Sequence, residues 1–300
     1  MVLGASNSHA TFLAHLDRDV KGLETLLHAP DRSLQRLLYS RYQQLQRLRI
    51  SLSNASRSAS RNGQPSALFD WLVDQLRPLE ARLVRAMEDH VRNHRAGKWL
   101  LSLHGIGPVL ACGVLAYCEK LPPFPTAGAL WRYAGLDPTL QWQQGQPRPY
   151  NARLKALCYN IGDSFCKTST NPKSFYGRVY RSRKAYEQKK NERGDYRDLA
   201  MASLSYTKDS SARAYYEKGM LPPGRIELRA RRYAVKLFLS HVQQVLYFLH
   251  YNDIPPKPYA LTIPGKGIWI GPPNASMIPQ LAEAFAQHGI VLPEDYDDHA

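Results

Sequence analysis

Apolar residues in this chain recur at three- and four-residue spacing over long stretches and almost never alternate, a pattern that restricts it to a helical fold. From Arg225 to His250 the recurring positions are Ile226, Ala230, Tyr233, Leu237, His241, Val245 and Phe248, the apolar stripe of one long amphipathic helix. Nearer the start, Leu34, Leu38, Leu45, Leu48 and Leu52 form a heptad seam with one defect at Arg41. Leu72, Leu76, Leu79, Leu83 and Met87 form a second stripe between Ala67 and Arg95. The polar run SNASRSASRNGQPS, residues 53–66, reads as a hinge between them, and Pro78 is expected to kink or restart the second helix. Two helices so joined predict a helical hairpin. Its stripe serves either as core against the rest of the fold or as a dimerising coiled coil.

A chain of 300 residues with 44% apolar content can bury a sizeable core. The fold class expected is mainly α: a long helical hairpin in residues 1–96, a domain of short helices containing a helix-hairpin-helix in 97–251, and a Pro/Gly-rich tail in 252–300. The tail has one short helical stretch near Ile278–Gln287 and an acidic end, EDYDDHA, expected to fray. No run of about 18 apolar residues occurs, and the N-terminus lacks the pattern of a signal peptide, so a cytoplasmic protein with no membrane partner is expected. None of Cys112, Cys118, Cys158 and Cys166 forms a Cys-x-x-Cys pair, which favours reduced, mostly buried thiols over a zinc ribbon. His90 and His94 stand four apart on a helix but lack the glutamate of a metalloprotease motif, so they read as a solvated helix face. No metal and no cofactor is expected.

The charge balance points to a partner rich in phosphate. Lys and Arg number 40 against 25 Asp and Glu, a formal net charge of +15. Residues 147–236 hold 21 of those cations against eight acids, with Tyr150, Tyr159, Tyr176, Tyr180, Tyr186 and Tyr196 among them. Cations neutralise phosphates and aromatic faces stack on bases, so Arg148, Arg153 and Lys155 are candidate binding residues. Arg229, Arg232 and Lys236 are three and four apart and share one side of the long helix, as a phosphate-tracking ridge or as an ordinary solvated face.

The most informative segment is Leu100-Leu-Ser-Leu-His-Gly-Ile-Gly-Pro-Val-Leu-Ala-Cys-Gly-Val-Leu. It predicts a helix ending at Leu103, a tight turn at Gly105-Ile106-Gly107, and a second helix opened by Pro108. That is the pattern of a helix-hairpin-helix. Its glycines allow close approach to a phosphate, the second helix offers free N–H groups, and Ile106 pins the turn to the core. Such contacts hold the nucleic-acid backbone without reading its sequence. An ordinary turn between two core helices is the alternative. Walker, Rossmann and nucleophile-elbow motifs are all missing, and acidic residues are sparse in the middle of the chain.

Six segments in order carry a resemblance: residues 99–111 around the hairpin, Phe124-Pro-Thr, Leu130-Trp-Arg-Tyr-Ala-Gly-Leu-Asp-Pro138, Asn151-Ala-Arg-Leu-Lys-Ala-Leu-Cys-Tyr159, Phe175-Tyr-Gly-Arg and Ala230-Arg-Arg-Tyr-Ala-Val-Lys-Leu-Phe238. Together they resemble the C-terminal domain of transposases of the insertion sequence 110/116/902 family, over about residues 97–250. The resemblance implies DNA as partner, structured RNA as a guide, a dimerising coiled coil, four acids from an RNase H-like domain, and a serine nucleophile in a Ser-Gly pair after the Gly-Leu-x-Pro motif. Here no such acidic domain is recognised before the hairpin, and Gln144-Gly145 stands where Ser-Gly is expected. An amide cannot replace a hydroxyl nucleophile. Ser164 is the nearest later hydroxyl in a helical context, and no catalytic residue is assigned. The expected function is therefore nucleic-acid binding by a transposase-like homo-oligomer that lacks the full catalytic apparatus. Two alternatives stand beside it: a recombinase or nuclease that borrows acids from a partner, and a structural helical oligomer.

Overall fold

A computed structural model describes residues 32–208, 211–258 and 268–293. Residues 1–31 of the expected hairpin, the side chain of Leu34 and the acidic end lie outside the described residues. The described chain is helical, with one isolated bridge between Ile270 and Val291. None of its helices is long and apolar enough to cross a membrane.

Helices α1 (Arg32–Arg61) and α2 (Ala67–Asn93) form the expected antiparallel hairpin. Its register is fixed from end to end by Gln35 on His90 at 2.7 Å, Arg49 on Glu80 at 2.7 Å, and the Ser56 hydroxyl donating to Asp70 at 2.6 Å. The polar run read as a hinge is helical up to Arg61, and the turn shrinks to residues 62–66. The reason is tertiary: Ser56 and Ala59 are buried, and that packing overrides the weak helix propensity of a Ser- and Asn-rich run. Pro78 does not restart α2, which runs through it without a break. Pro78 is exposed, so the carbonyl left without its donor faces water. The leucine seam is also narrower than its spacing suggests. Leu38 is buried and Leu45 and Leu52 are half-buried, but Leu48 is 51% exposed. A helix of 3.6 residues per turn drifts off a strict heptad, and Tyr42, Arg49 and Ser56 turn to α2 instead.

The hairpin packs on α4 (Pro108–Cys118), which follows the short α3 (Gly97–Ser102). Residues 111–118 of α4 are all buried, so it is the central strut of the fold. Burial pushes the thiols of Cys112 and Cys158 up to about 12, which leaves them protonated packing groups. Along the chain follow α5 (Ala127–Tyr133), α6 (Ala152–Lys167), which packs on the strut, and α7 (Phe175–Glu192); α8 (Arg197–Leu204) and α9 (Arg213–Glu217) pack on each other in a second, smaller cluster with Leu221 and Ile226. Helix α10 (Pro223–Tyr251) spans the core and packs on α5, α6 and α7. It ends at Asn252, which takes the left-handed conformation (φ 54°) and donates its N–H to the Phe248 carbonyl. Of the stripe read from the sequence, Tyr233 is the exception: it is 45% exposed, with the Arg183 guanidinium 4.5 Å over its ring. Phe165, Tyr176 and Phe238 form the aromatic centre of the core.

The Pro-rich tail is docked rather than loose. Leu281 and Phe285 of α11 (Pro279–Gln287) are fully buried in the same core. The Trp99 indole N–H donates to the Pro273 carbonyl at 2.8 Å, and the Asn274 amide donates to the Ser102 carbonyl at 3.0 Å. One core thus draws residues from all three expected segments.

Candidate nucleic-acid interface

The turn between α3 and α4 is built as its glycines require. Gly105 has φ 94°, and a Cβ there would stand 3.2 Å from the Thr168 hydroxyl and 3.3 Å from that of Ser164. Conformation and packing therefore both demand glycine. The Ser164 hydroxyl donates to the Gly105 carbonyl at 2.6 Å and clamps the turn to α6. Ile106 is buried and pins it from beneath, and Pro108 opens α4. Gly107 differs. It is extended (φ −87°, ψ 178°), exposed, and a Cβ there meets nothing within 4 Å. Nothing inside the protein requires glycine at this position. Its backbone and the first-turn N–H groups of Val109 and Leu110 form an open donor edge at the positive end of α4.

A second feature lies between α6 and α10. Leu136, Cys158, Leu228 and Val235 give a groove of about 340 Å³ its apolar lining, and Lys155, Tyr159, Arg231 and Arg232 line it with them. Asn151 starts α6 correctly by accepting from the N–H groups of Arg153 and Leu154, both at 3.0 Å, while its amide donates to the Tyr133 hydroxyl at 2.8 Å. Gly162 lets the two helices approach, since a Cβ there would lie 3.2 Å from Val235 and 3.3 Å from Arg231. Lys155, Cys158, Tyr159 and Gly162 fall at offsets of three, four and seven. That spacing is the sequence signal that marks the groove-facing side of α6, and net charge alone does not carry it.

The nine candidate residues do not form one surface. Arg229, Arg232 and Lys236 share a stripe but have separate tasks. Arg229 turns to α7 and donates to Glu187 at 2.7 Å. Glu187 is 1% exposed, and it also takes Arg183 at 2.6 Å and the Tyr196 hydroxyl. Those three donors hold its carboxyl below the usual range against the opposing effect of burial. Lys236 lies 4.1 Å over the Trp131 ring. Arg232 alone of the three opens on the groove, where desolvation and the nearby charges of Arg229 and Arg225 push its guanidinium down. Arg231, absent from the candidate set, rims the groove but is taken by Asp163 at 3.1 Å and by Glu227. Lys155 sits 4.3 Å over the Tyr150 ring and Arg148 5.6 Å over that of Trp142, while the charge of Arg153 acts on the Tyr117 hydroxyl and opposes the upward push of burial on it. The turn of Gly105, Ile106 and Gly107 meets α6 at Ser164, which lies about half a helical turn round from Lys155 and Gly162. Hairpin and groove therefore stand on opposite sides of α6.

Residues 97–164, from α3 into α6, match the family model described as transposase, IS116/IS110/IS902 family. Over those residues the chain is similar to that transposase family. The match covers α3, the α3–α4 turn, α4, α5 and most of α6, and ends at residue 164, short of the residue 250 that the resemblance reaches. No curated protein and no solved structure matches the chain. Within the matched residues Gln144-Gly145 forms an exposed turn, with Gly145 at φ 88° and the Gln146 N–H donating to the Gln143 carbonyl at 3.2 Å. Ser164 is the structural clamp already described. Among the described residues, no three or more His, Cys, Asp or Glu are grouped to hold a metal ion.

Proposed function

We propose that this protein uses its transposase domain to hold the DNA backbone at the α3–α4 turn, and that the described residues do not carry strand cleavage. Gly107 is the observation that carries the first part: it lies in an open extended backbone where the protein itself has room for a side chain. An exposed donor edge at the start of an 11-residue helix suits a phosphate. Gln144 at the position of the family's serine supports the second part. Structured RNA is the alternative ligand.

Gly107→Val tests the first part. Valine tolerates the observed φ and ψ and its Cβ meets no atom within 4 Å, so the fold should persist with at most a capping cost of about 1 kcal/mol. Affinity for duplex DNA should drop about 10- to 100-fold, the worth of one or two hydrogen bonds to a charged group. Unchanged affinity in the folded variant makes the hairpin an ordinary core turn.

Self-association belongs to the same proposal. The exposed Leu48 side chain on α1 is left uncovered by α2, and a second copy would cover it. Light scattering at tens of micromolar should give a dimer for the wild type and a monomer for Leu48→Asp. A monomeric wild type refutes the interface.

A further inference from the structure

Resting on the DNA-binding reading above, we propose that the groove between α6 and α10 seats unpaired nucleotides of single-stranded DNA, with Tyr159 stacking on a base and Lys155 and Arg232 holding the flanking phosphates. Three observations meet there. The lining contributed by Leu136, Cys158, Leu228 and Val235 is apolar. A paired duplex keeps its bases inside and would bring this lining only charged backbone, at a desolvation cost with no return. An unpaired base brings an apolar face of the right kind, and about 340 Å³ lies at the small end of the range for ligand pockets, about 300–1,000 Å³.

The second observation is Tyr159. It is 60% exposed although it sits at the lip of an apolar groove, so its ring is free to serve as a stacking platform. Tyr150, beneath the Lys155 ammonium, and Trp142, beneath Arg148, continue an alternation of ring and cation on the chain leading into α6.

The third is the pattern of charge. Arg231 and Arg229 are already neutralised by Asp163, Glu227 and Glu187. Lys155 stands over a ring, the Arg232 Nε–H donates to the Leu228 carbonyl at 3.3 Å, and among the described residues neither cation makes an ion pair. The neighbouring Arg225 and Arg229 make the charge at Arg232 costly, and a phosphate would relieve that cost. The groove and the hairpin turn lie on opposite sides of α6, so single strand and duplex would be held at separate places.

Fluorescence anisotropy with the full chain decides it. The probes are a labelled oligothymidylate of about 15 nucleotides, a blunt duplex, and an oligouridylate of the same length. Tyr159→Ala should weaken oligothymidylate binding about 5- to 100-fold, leave the duplex unchanged, and be rescued by Tyr159→Phe, which keeps the ring. Equal losses on both DNAs, or no loss on oligothymidylate, overturn the assignment. Tighter binding of oligouridylate gives the groove to RNA and also overturns it. A chain that holds duplex but not oligothymidylate sinks this inference alone, whereas one that binds neither sinks the DNA-binding reading with it.

Discussion

Affinity for duplex DNA should fall by about 10³- to 10⁵-fold between about 50 and 200 mM salt, the loss expected when roughly 6–10 phosphates are neutralised by protein cations. The basic surplus of residues 147–236 is not spent internally. Glu187, Asp163, Asp195 and Glu227 take up Arg183, Arg229, Lys167, Lys190, Arg193, Lys184 and Arg231. Arg148, Lys155, Arg232 and Lys236 instead face rings, a backbone carbonyl or solvent. For oligothymidylate, Arg232→Gln should lower the slope of log affinity against log salt by about 0.7, the single-strand value for one phosphate. Arg229→Gln should leave that slope alone and instead lower stability, because it strips a donor from the buried Glu187. A flat salt response would remove phosphate contact as the basis of binding.

Stability should decline as pH falls below about 6.5, by about 1.4 kcal/mol per pH unit for one proton. The group responsible is His241, fully buried on α10. Its Nε2 lies 3.2 Å from the Ile270 carbonyl, which can only accept, so Nε2 carries the proton. Nδ1 then accepts from the Tyr176 hydroxyl at 2.8 Å. The neutral ring thereby joins α7, α10 and the docked tail. Burial pushes its pKa from 6.5 down to about 3, with the Ile270 carbonyl opposing weakly. The unfolded chain binds a proton near 6.5 and the native chain only near 3, so the stabilisation is complete above 6.5 and is lost as pH falls toward 3. The depressed carboxylates Asp70, Asp137, Asp163 and Glu187 act only below the ordinary carboxylate range of about 4, beneath the interval from pH 7 to 5 in which His241 acts. Denaturation midpoints of wild type and His241→Gln compared across that interval provide the check. The variant should be less stable at pH 7 and flatter with pH; parallel slopes would clear His241 of the effect.

The sequence alone determined the local geometry. Three- and four-residue spacing is enough to identify the helices, because it reports which side chains share a side of a backbone that repeats every 3.6 residues. Gly105-Ile106-Gly107-Pro108 is enough to identify the turn, because a left-handed residue, a buried anchor and a helix-opening proline are properties of single positions. Spacing does not report what lies opposite a side. Leu48 belonged to the seam by count and faces solvent, since only the partner helix decides which residues it covers. Ser56 and Ala59 are helical because of a neighbour across the hairpin. Arg229 and Arg232 look alike on their stripe, yet one answers Glu187, 42 residues away, and the other an open groove. The groove itself arises only where α6 and α10 meet over Gly162, and the tail is anchored by a hydrogen bond between residues 174 apart. A side chain's free charge, and the surface on which it acts, depend on partners that tertiary packing alone supplies.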